Sequence, residues 1–176
     1  MKKILIVLLL ISLFVAAQTE EKKDTWESLK YFIGKWQGTG EGKGGISSVS
    51  REYKMILNEK FIKFNNKSIF EPQEKNQEGE IHEDIGFISF DNIRQTFVLR
   101  QFHVEGFVNQ YVLTFSNEEK TGAFNSESIE NLPPGWKVRL TFTILNENEF
   151  TESFDLAGPD QKFTCYITNH FIRIDK

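Results

Sequence analysis

Hydrophobic and polar residues alternate along most of the chain with the two-residue period of β-strands. The alternation begins after Gly34, and short segments rich in Gly, Asn, Asp and Pro, which are typical of turns, interrupt it. Because most of these connections are short, successive strands are expected to pair antiparallel. The pattern predicts ten strands, at residues 35–42, 46–57, 60–70, 81–91, 95–104, 107–116, 120–129, 136–145, 148–157 and 161–174.

One short helix is predicted before the first strand. Its apolar residues recur at helical spacing: Trp26, Leu29, Phe32 and Ile33. Asp24 and Glu27, three positions apart, have the spacing of a capping box at its start. A helix of this length is not stable alone, so we expect it to cover one open end of a barrel.

Ten short antiparallel strands and a single helix predict an all-β fold, an up-and-down β-barrel of the calycin-like type. Closure of the sheet would leave no unpaired edge strand. The 176 residues contain no internal repeat and no linker that marks a second domain. We therefore predict a single barrel domain over residues 24–176.

The N-terminus has the composition of a secretory signal peptide. Lys2 and Lys3 precede an apolar run from Ile4 to Val15, and small residues follow at positions 16 and 17. The run is short for a membrane span, although an uncleaved anchor is the alternative. We predict a bacterial signal peptide over 1–17, a mobile leader over 18–23, and an exported mature protein, periplasmic or secreted, without a membrane span.

Charge and cysteine content narrow the function classes. Without Lys2 and Lys3 the chain has 19 basic and 25 acidic residues, so its net charge changes from -4 to -6. Nucleic-acid binding needs a concentrated basic face, so it is not expected. Cys165 is the single cysteine, which excludes an internal disulfide and a Cys-rich metal cluster. Its place between Phe163 and Ile167 predicts a buried, inert thiol.

Four predicted strands carry polar residues on otherwise apolar faces. These residues are Asn66, Ser68, Gln101, His103, Asn109, Tyr111 and Glu152. Buried polar groups need partners, so the set either forms an internal network or lines a cavity filled by water or ligand. Ten strands enclose more volume than the eight that side chains just fill, which favours the cavity. Gln101, Asn109, Tyr111 and Glu152 are its predicted lining.

Neither the spacing of the histidines nor a search for catalytic motifs indicates a specific metal site or reaction. His82, His103 and His170 have no i, i+2 or i, i+4 spacing, so a multi-histidine metal site is not predicted. A single axial histidine on haem needs no such spacing. No nucleophile elbow, phosphate loop or HExxH motif is present. An enzyme that uses His103, or His82 with Glu83, for acid–base chemistry stays a minor alternative.

The first strand combines a tryptophan with glycine at every second position. Trp36, Gly38 and Gly40 fall on one face. Repeated glycine in a strand indicates a sharp bend or the close approach of another group. Within a barrel, these glycines are expected to leave room beside Trp36.

This segment resembles the opening of the nitrobindin-like haem-binding β-barrels and, more broadly, the Gly-x-Trp start of lipocalins and fatty-acid-binding proteins. Five residues match the Gly-x-Trp-x-Gly-x-Gly-x-Gly pattern: Gly34, Trp36, Gly38, Gly40 and Gly42. The segments 51–53, 60–62 and 82–87 look similar in kind and order. The resemblance implies a ten-stranded antiparallel barrel that holds haem b through one histidine on the last strand. His170 occupies the comparable place, with His103 as a second candidate, and Trp36, Gly38 and Gly40 would lie beside the cofactor.

The leading hypothesis is therefore an exported barrel that binds a small hydrophobic or amphipathic ligand, most specifically haem, with His170 as the metal ligand. The alternative is a lipocalin-like carrier of a fatty acid, lipid or pigment without haem. In that case an inward arginine such as Arg51, which shares a face with Tyr53, would hold a carboxylate. A barrel with a filled interior that serves only as an interaction module is a further possibility.

Overall fold

Ten antiparallel strands close into a barrel in the protein's structure, a computed structural model that describes residues 24–116 and 120–175. The predicted signal peptide and leader, the predicted turn at 117–119 and the last residue lie outside the described residues. The elements are α1 (Glu27–Lys30), β1 (Gly34–Gly42), β2 (Gly45–Ile56), β3 (Phe61–Phe70), β4 (Glu80–Asp91), β5 (Thr96–His103), β6 (Val108–Ser116), β7 (Thr121–Glu130), β8 (Lys137–Asn146), β9 (Glu149–Ala157) and β10 (Thr164–Asp175).

Each strand pairs with the next along the chain, and β1 pairs with β10 to close the sheet. All ten predicted strands are present, with ends that shift by at most a few residues. The predicted fold class is confirmed. The periodic alternation succeeds because a closed barrel has one buried and one solvated face along every strand.

The helix α1 is a single turn that covers one end of the barrel, as predicted. Leu29 and Phe32 are buried among the aromatic side chains at this end. The predicted capping box is wrong, because the helix begins after Trp26 rather than after Asp24. The Asp24 carboxylate instead accepts a hydrogen bond from the backbone N–H of Trp26 (2.9 Å) and pairs with Lys30. Among the described residues, no helix is long and apolar enough to cross a membrane.

Aromatic rings fill the half of the barrel next to α1. The Phe150 and Phe171 rings stack with centroids 4.7 Å apart, and the ring of Trp36 meets Phe150 edge to face at the same distance. The indole N–H of Trp36 donates to the carbonyl of Phe32 (2.7 Å), which ties the helix segment to β1. Trp36, Phe150 and Phe171 are fully buried. This half is a packed hydrophobic core.

The glycines of β1 allow a close approach of β10 rather than leaving open space. A Cβ atom built on Gly38 would lie 1.8 Å from the carbonyl oxygen of His170. One on Gly40 would lie 2.5 Å from Asn169 Oδ1 and 2.6 Å from Ser47 Oγ. The room that we expected beside Trp36 is therefore occupied by neighbouring strands. Of the two roles that repeated glycine indicates in a strand, close backbone approach is the one present here.

Cys165 is exposed, so the prediction of a buried thiol is wrong. The pairing of β10 with β9 shifts register between Cys165 and Ile167. A bulge of this kind inserts one extra residue and breaks the alternation from which the burial was inferred.

Candidate functional site

The interior of the barrel has a polar half at the end opposite α1. The apolar inward residues lie where β1 and β9 begin and where β2 and β10 end, which is the helix end. The polar residues lie toward the opposite end of the strands. The buried polar side chains that face inward are Ser47, Arg51, Asn66, Ser68, Asp84, Gln101, Asn109, Glu152 and Asn169.

An ion pair lies at the boundary between the two halves. Arg51 Nη1 donates to Glu152 Oε2 (2.6 Å), and Nη2 donates to Glu152 Oε1 (2.9 Å). The same guanidinium donates to the hydroxyl of Tyr53 (3.0 Å) and to Asn66 Oδ1 (2.9 Å). Burial alone would lower the pKa of Arg51, but the Glu152 carboxylate raises it well above its usual value. The two side chains form a buried ion pair.

The carboxylate of Asp84 is the centre of the next part of the network. It accepts hydrogen bonds from Asn66 Nδ2 (2.9 Å) and from Gln101 Nε2 (2.7 Å), and it lies 3.4 Å from His82 Nε2. Burial alone would raise the pKa of Asp84. The hydrogen bond from His82, the charge of Arg51 and the bond from Gln101 together hold that pKa below its usual value.

Two histidines meet at the rim of this polar end. The rings of His82 and His103 lie with centroids 5.6 Å apart. His82 Nδ1 is 2.6 Å from Glu105 Oε1, and Asn109 Nδ2 is 3.0 Å from His103 Nε2. The hydrogen bond with Asp84, opposed by burial and assisted by Glu105, raises the pKa of His82 to about 9. Burial lowers the pKa of His103, which favours the neutral imidazole.

Sequence spacing does not predict the cluster of His82, Asp84 and His103, because its members belong to different strands. In the β4–β5 pairing Asp84 lies opposite His103, and His82 shares the face of Asp84. One ligating atom from each of the three residues can be chosen so that all lie within 4.8 Å of one another. The signal that could have found it is the register of the predicted hairpin, which sets residues 84 and 103 opposite each other.

Four buried polar atoms in the described part of the chain have no hydrogen-bond partner: Ser47 Oγ, Gln101 Oε1, Asn109 Oδ1 and Asn169 Oδ1. All four belong to the polar half. Three are amide oxygens, which only accept hydrogen bonds. An unpaired buried acceptor costs about 1–3 kcal/mol, so water or a bound species is expected to supply the missing donors.

The enclosed cavity of the barrel is small. It has a volume of about 30 Å³ and lies where Arg51, Gln101 and Glu152 meet the phenylalanine side chains. A water molecule needs roughly 10–15 Å³ of such space, whereas ligand pockets span about 300–1,000 Å³. Of the two arrangements expected for the inward polar residues, the internal network is the one that the structure shows.

The predicted site residues are distributed between the two faces of the barrel. Gln101, Asn109, Tyr111 and Glu152 are all buried and face the interior. The hydroxyl of Tyr111 accepts a hydrogen bond from Asn109 Nδ2 (2.8 Å). Desolvation raises the pKa of the Tyr111 hydroxyl far above its usual value. These side chains therefore belong to the network and are joined to it by direct contacts.

His170 lies on the outer face of the barrel, which corrects its predicted place inside. Its side chain is 44% exposed, and Nε2 is 3.5 Å from Glu149 Oε2. Its neighbours Asn169 and Phe171 point inward instead. Because side chains alternate along a strand, His170 shares the solvent face with Ile172. Glu83 likewise points outward and pairs with Lys67, away from His82.

Comparison with known proteins identifies the fold but no family. No protein-family model matches the chain, and no curated protein matches it significantly. The chain is similar to the crystal structure of Rv2717c from M. tuberculosis, with a TM-score of 0.64 and 14% identity over 85% of this chain and 97% of that one.

Two further structures are less similar to the chain. A de novo designed fluorescence-activating β-barrel has a TM-score of 0.44 and 12% identity over 82% of this chain and 95% of its own. The structure of EF1p2_mFAP2b bound to DFHBI has a TM-score of 0.45 and 10% identity over 86% of this chain and 100% of its own. At these identities the likeness shows the barrel fold alone, and these two structures are too distant to carry an argument.

Proposed function

We propose that this barrel is a binding protein whose ligand is a small polar molecule held at the polar end, opposite α1. The observation that carries the proposal is the set of unpartnered buried acceptors, which includes Gln101 Oε1 and Asn109 Oδ1. Functional sites are where folded proteins tolerate unsatisfied groups. A ligand rich in N–H or O–H donors would satisfy these oxygens. It would bind from the rim and displace polar side chains as it enters, because the enclosed space of about 30 Å³ holds only water.

The charges at this end favour a donor over an anion. Asp84 and Glu105 place two carboxylates beside His82. The guanidinium of Arg51 does not offset them for a ligand, because Glu152 already neutralises it. A fatty-acid carboxylate would have to displace Glu152 from Arg51, at the cost of a buried unpaired charge. The packing thus supports a small amine, amide or polyol as the ligand rather than a lipid.

Haem, which the resemblance to nitrobindin-like barrels implies, does not fit the described interior. The cavity of about 30 Å³ is far smaller than a ligand pocket. His170 faces solvent, and His103 lies at the rim of the polar end beside His82. Haem binding stays a prediction that absorbance spectroscopy decides. A Soret band in protein expressed with haem, and lost in His170→Ala or His103→Ala, would replace the proposal made here.

Ligand-dependent thermal stability tests the proposal. The purified protein is screened against small amines, amides and polyols, and native mass spectrometry identifies any molecule that co-purifies. A ligand at 100 times its dissociation constant stabilises the folded state by about 2.7 kcal/mol. We expect Gln101→Met to reduce that stabilisation. Gln110→Met, on the outer face of the neighbouring strand β6, is the matched control and should leave it unchanged.

Two results would contradict the proposal. One is a co-purified lipid or pigment, which would support the hydrophobic carrier. The other is a stabilising ligand whose effect is equal in wild type and in Gln101→Met. Export to the periplasm or medium is a separate proposal, which rests on the composition of residues 1–17 and is tested by cell fractionation.

A further inference from the structure

We propose that His82, Asp84 and His103 bind one divalent transition-metal ion at the rim of the polar end. The proposal goes beyond the small-molecule ligand and stands without it. Two imidazoles and one carboxylate form the donor set of many transition-metal sites, including the facial triads of non-haem iron proteins. Zn²⁺ and Co²⁺ bind the same donor types.

The geometry brings the three donors to one place from two adjacent strands. His82 and Asp84 lie two residues apart on β4 and so project from the same face, and Asp84 lies opposite His103 on β5. Their ligating atoms can be chosen within 4.8 Å of one another. Metal–ligand bonds of about 2.0–2.2 Å place neighbouring ligands about 3–4 Å apart. A small contraction of side chains therefore completes the site.

The separation of His82 and Asp84 is compatible with joint ligation of one ion. His82 Nε2 is 3.4 Å from Asp84 Oδ2. This distance lies within the range of about 3–4 Å that separates two ligands of the same metal ion.

Further side chains orient the ligands as in known metal sites. Glu105 Oε1 is 2.6 Å from His82 Nδ1, which is the carboxylate–histidine–metal arrangement. Gln101 donates to Asp84 Oδ1 (2.7 Å) and Asn66 donates to Oδ2 (2.9 Å), so the carboxylate is already fixed. These contacts exist without the metal and hold two of the three ligands in place.

An independent observation points to an occupant beside the histidines. Asn109 is 3% exposed, its amide contacts His103 Nε2, and its Oδ1 has no hydrogen-bond partner. An amide oxygen of this kind can accept a hydrogen bond from water, including a water bound to the metal. The His82 side chain is 25% exposed, so an ion can reach the site from solvent.

A competing set shares His82. Glu80, His82 and Glu105 also bring ligating atoms within 4.8 Å, but both carboxylates are exposed. We favour the set with Asp84 and His103, because its carboxylate is buried and held by two amide donors. The two sets differ in their response to substitution, so the experiment separates them.

Calorimetric titration of tag-free, chelator-treated protein with Zn²⁺ tests the site, and the visible absorption bands of bound Co²⁺ report its ligands. We expect one equivalent to bind. His82→Ala and His103→Gln should weaken binding by about 100-fold or more, and Glu105→Gln by about 10–100-fold. His170→Ala, a histidine on the outer face, is the matched control and should bind like wild type.

His103→Gln keeps a hydrogen-bonding side chain beside Asn109, and circular dichroism of each metal-free variant shows whether it folds. If a variant does not fold, titration of the wild type with Co²⁺ is used in its place. The spectrum of bound Co²⁺ distinguishes histidine from carboxylate ligation. The proposal is overturned if wild type binds no equivalent of Zn²⁺. It is equally overturned if His103→Gln binds like wild type while Glu105→Gln does not, because the exposed carboxylate set would then be the site.

Discussion

Arg51 and Glu152 form a bidentate ion pair inside the barrel, with N–O distances of 2.6 and 2.9 Å, although their strands β2 and β9 are not neighbours in the sheet. The guanidinium also lies 4.6 Å from the centre of the Phe171 ring. The pair therefore connects the polar network to the aromatic core. A buried ion pair is not in itself a large source of stability, but loss of one partner leaves a buried unpaired charge.

We predict that Glu152→Gln destabilises the protein by about 3–5 kcal/mol. The double variant Arg51→Met with Glu152→Leu should recover most of that loss, because it removes both charges together. Urea unfolding measures the three free energies of unfolding. Glu83→Gln, in the exposed pair with Lys67, is the control and should change stability by at most about 1 kcal/mol. A Glu152→Gln variant as stable as that control would contradict the role of the pair.

The barrel itself was predictable because its signal is local. Alternation along each strand and turn residues between strands are properties of short sequence windows, and closure follows from ten strands in a meander. The inward direction of Gln101, Asn109 and Glu152 followed from the same alternation. The alternation also assigns His170 to the same face as Ile172. The expectation that His170 points inward came instead from the resemblance to a family whose last strand carries a haem ligand.

The candidate site was less predictable because it depends on relations between strands. His82 and His103 are far apart in sequence, and only the β4–β5 register brings them together. Whether the inward polar residues form a network or line a cavity depends on how much of the interior volume the phenylalanine side chains fill. The alternation of residues along a strand does not give that volume. The exposure of Cys165 depends on a single bulge that no alternation predicts.

The glycines of β1 should respond very differently to alanine. At Gly38 the new Cβ would meet the backbone oxygen of His170, which cannot move without displacing β10. At Gly40 it would meet side-chain ends, which can rotate, rather than backbone: those of Asn169, Ser47 and Ile167. We predict a loss of about 3 kcal/mol or more for Gly38→Ala and about 1–2 kcal/mol for Gly40→Ala.

Thermal and urea unfolding of these variants check the order. Gly44→Ala is the control, because its Cβ would have an ordinary contact of 3.5 Å with the ring of Phe70. It should change stability by at most about 0.5 kcal/mol. If Gly38→Ala were no more harmful than Gly44→Ala, close approach of β10 would not be the reason for the glycine.

Arg173 should act as a clamp on the helix segment. Its Nη1 donates to the carbonyl of Ile33 (2.8 Å), its Nη2 donates to that of Tyr31 (2.5 Å), and its guanidinium lies 4.0 Å from the centre of the Trp36 ring. Arg173→Leu leaves both carbonyls without this donor, so we predict a loss of about 1–3 kcal/mol. Hydrogen exchange at the Phe32 and Ile33 amides should become faster. Arg100→Leu, on the exposed outer face of β5, should change neither quantity, and equal behaviour of the two variants would rule out the clamp.

Two buried tyrosines should make the protein sensitive to alkaline pH. Burial raises the pKa of Tyr53 to about 12, although the charge of Arg51 opposes the shift, and burial raises that of Tyr111 further. In the unfolded chain both hydroxyls have a pKa of about 10. Above that pH the unfolded chain loses protons that the folded protein keeps, so the free energy of unfolding falls as pH rises.

The contribution of Tyr53 is therefore fully present below about pH 10 and is lost as pH rises through about 12. A shift of this size corresponds to roughly 3 kcal/mol. Urea unfolding between pH 9 and 11, in parallel with tyrosinate absorbance, measures the slope of stability against pH. Tyr53→Phe should make that slope shallower, whereas Tyr166→Phe, at an exposed position, should not. Because lysines titrate alike in all three proteins, the comparison isolates the tyrosine, and equal slopes for wild type and Tyr53→Phe would show that Tyr53 is not desolvated in the folded barrel.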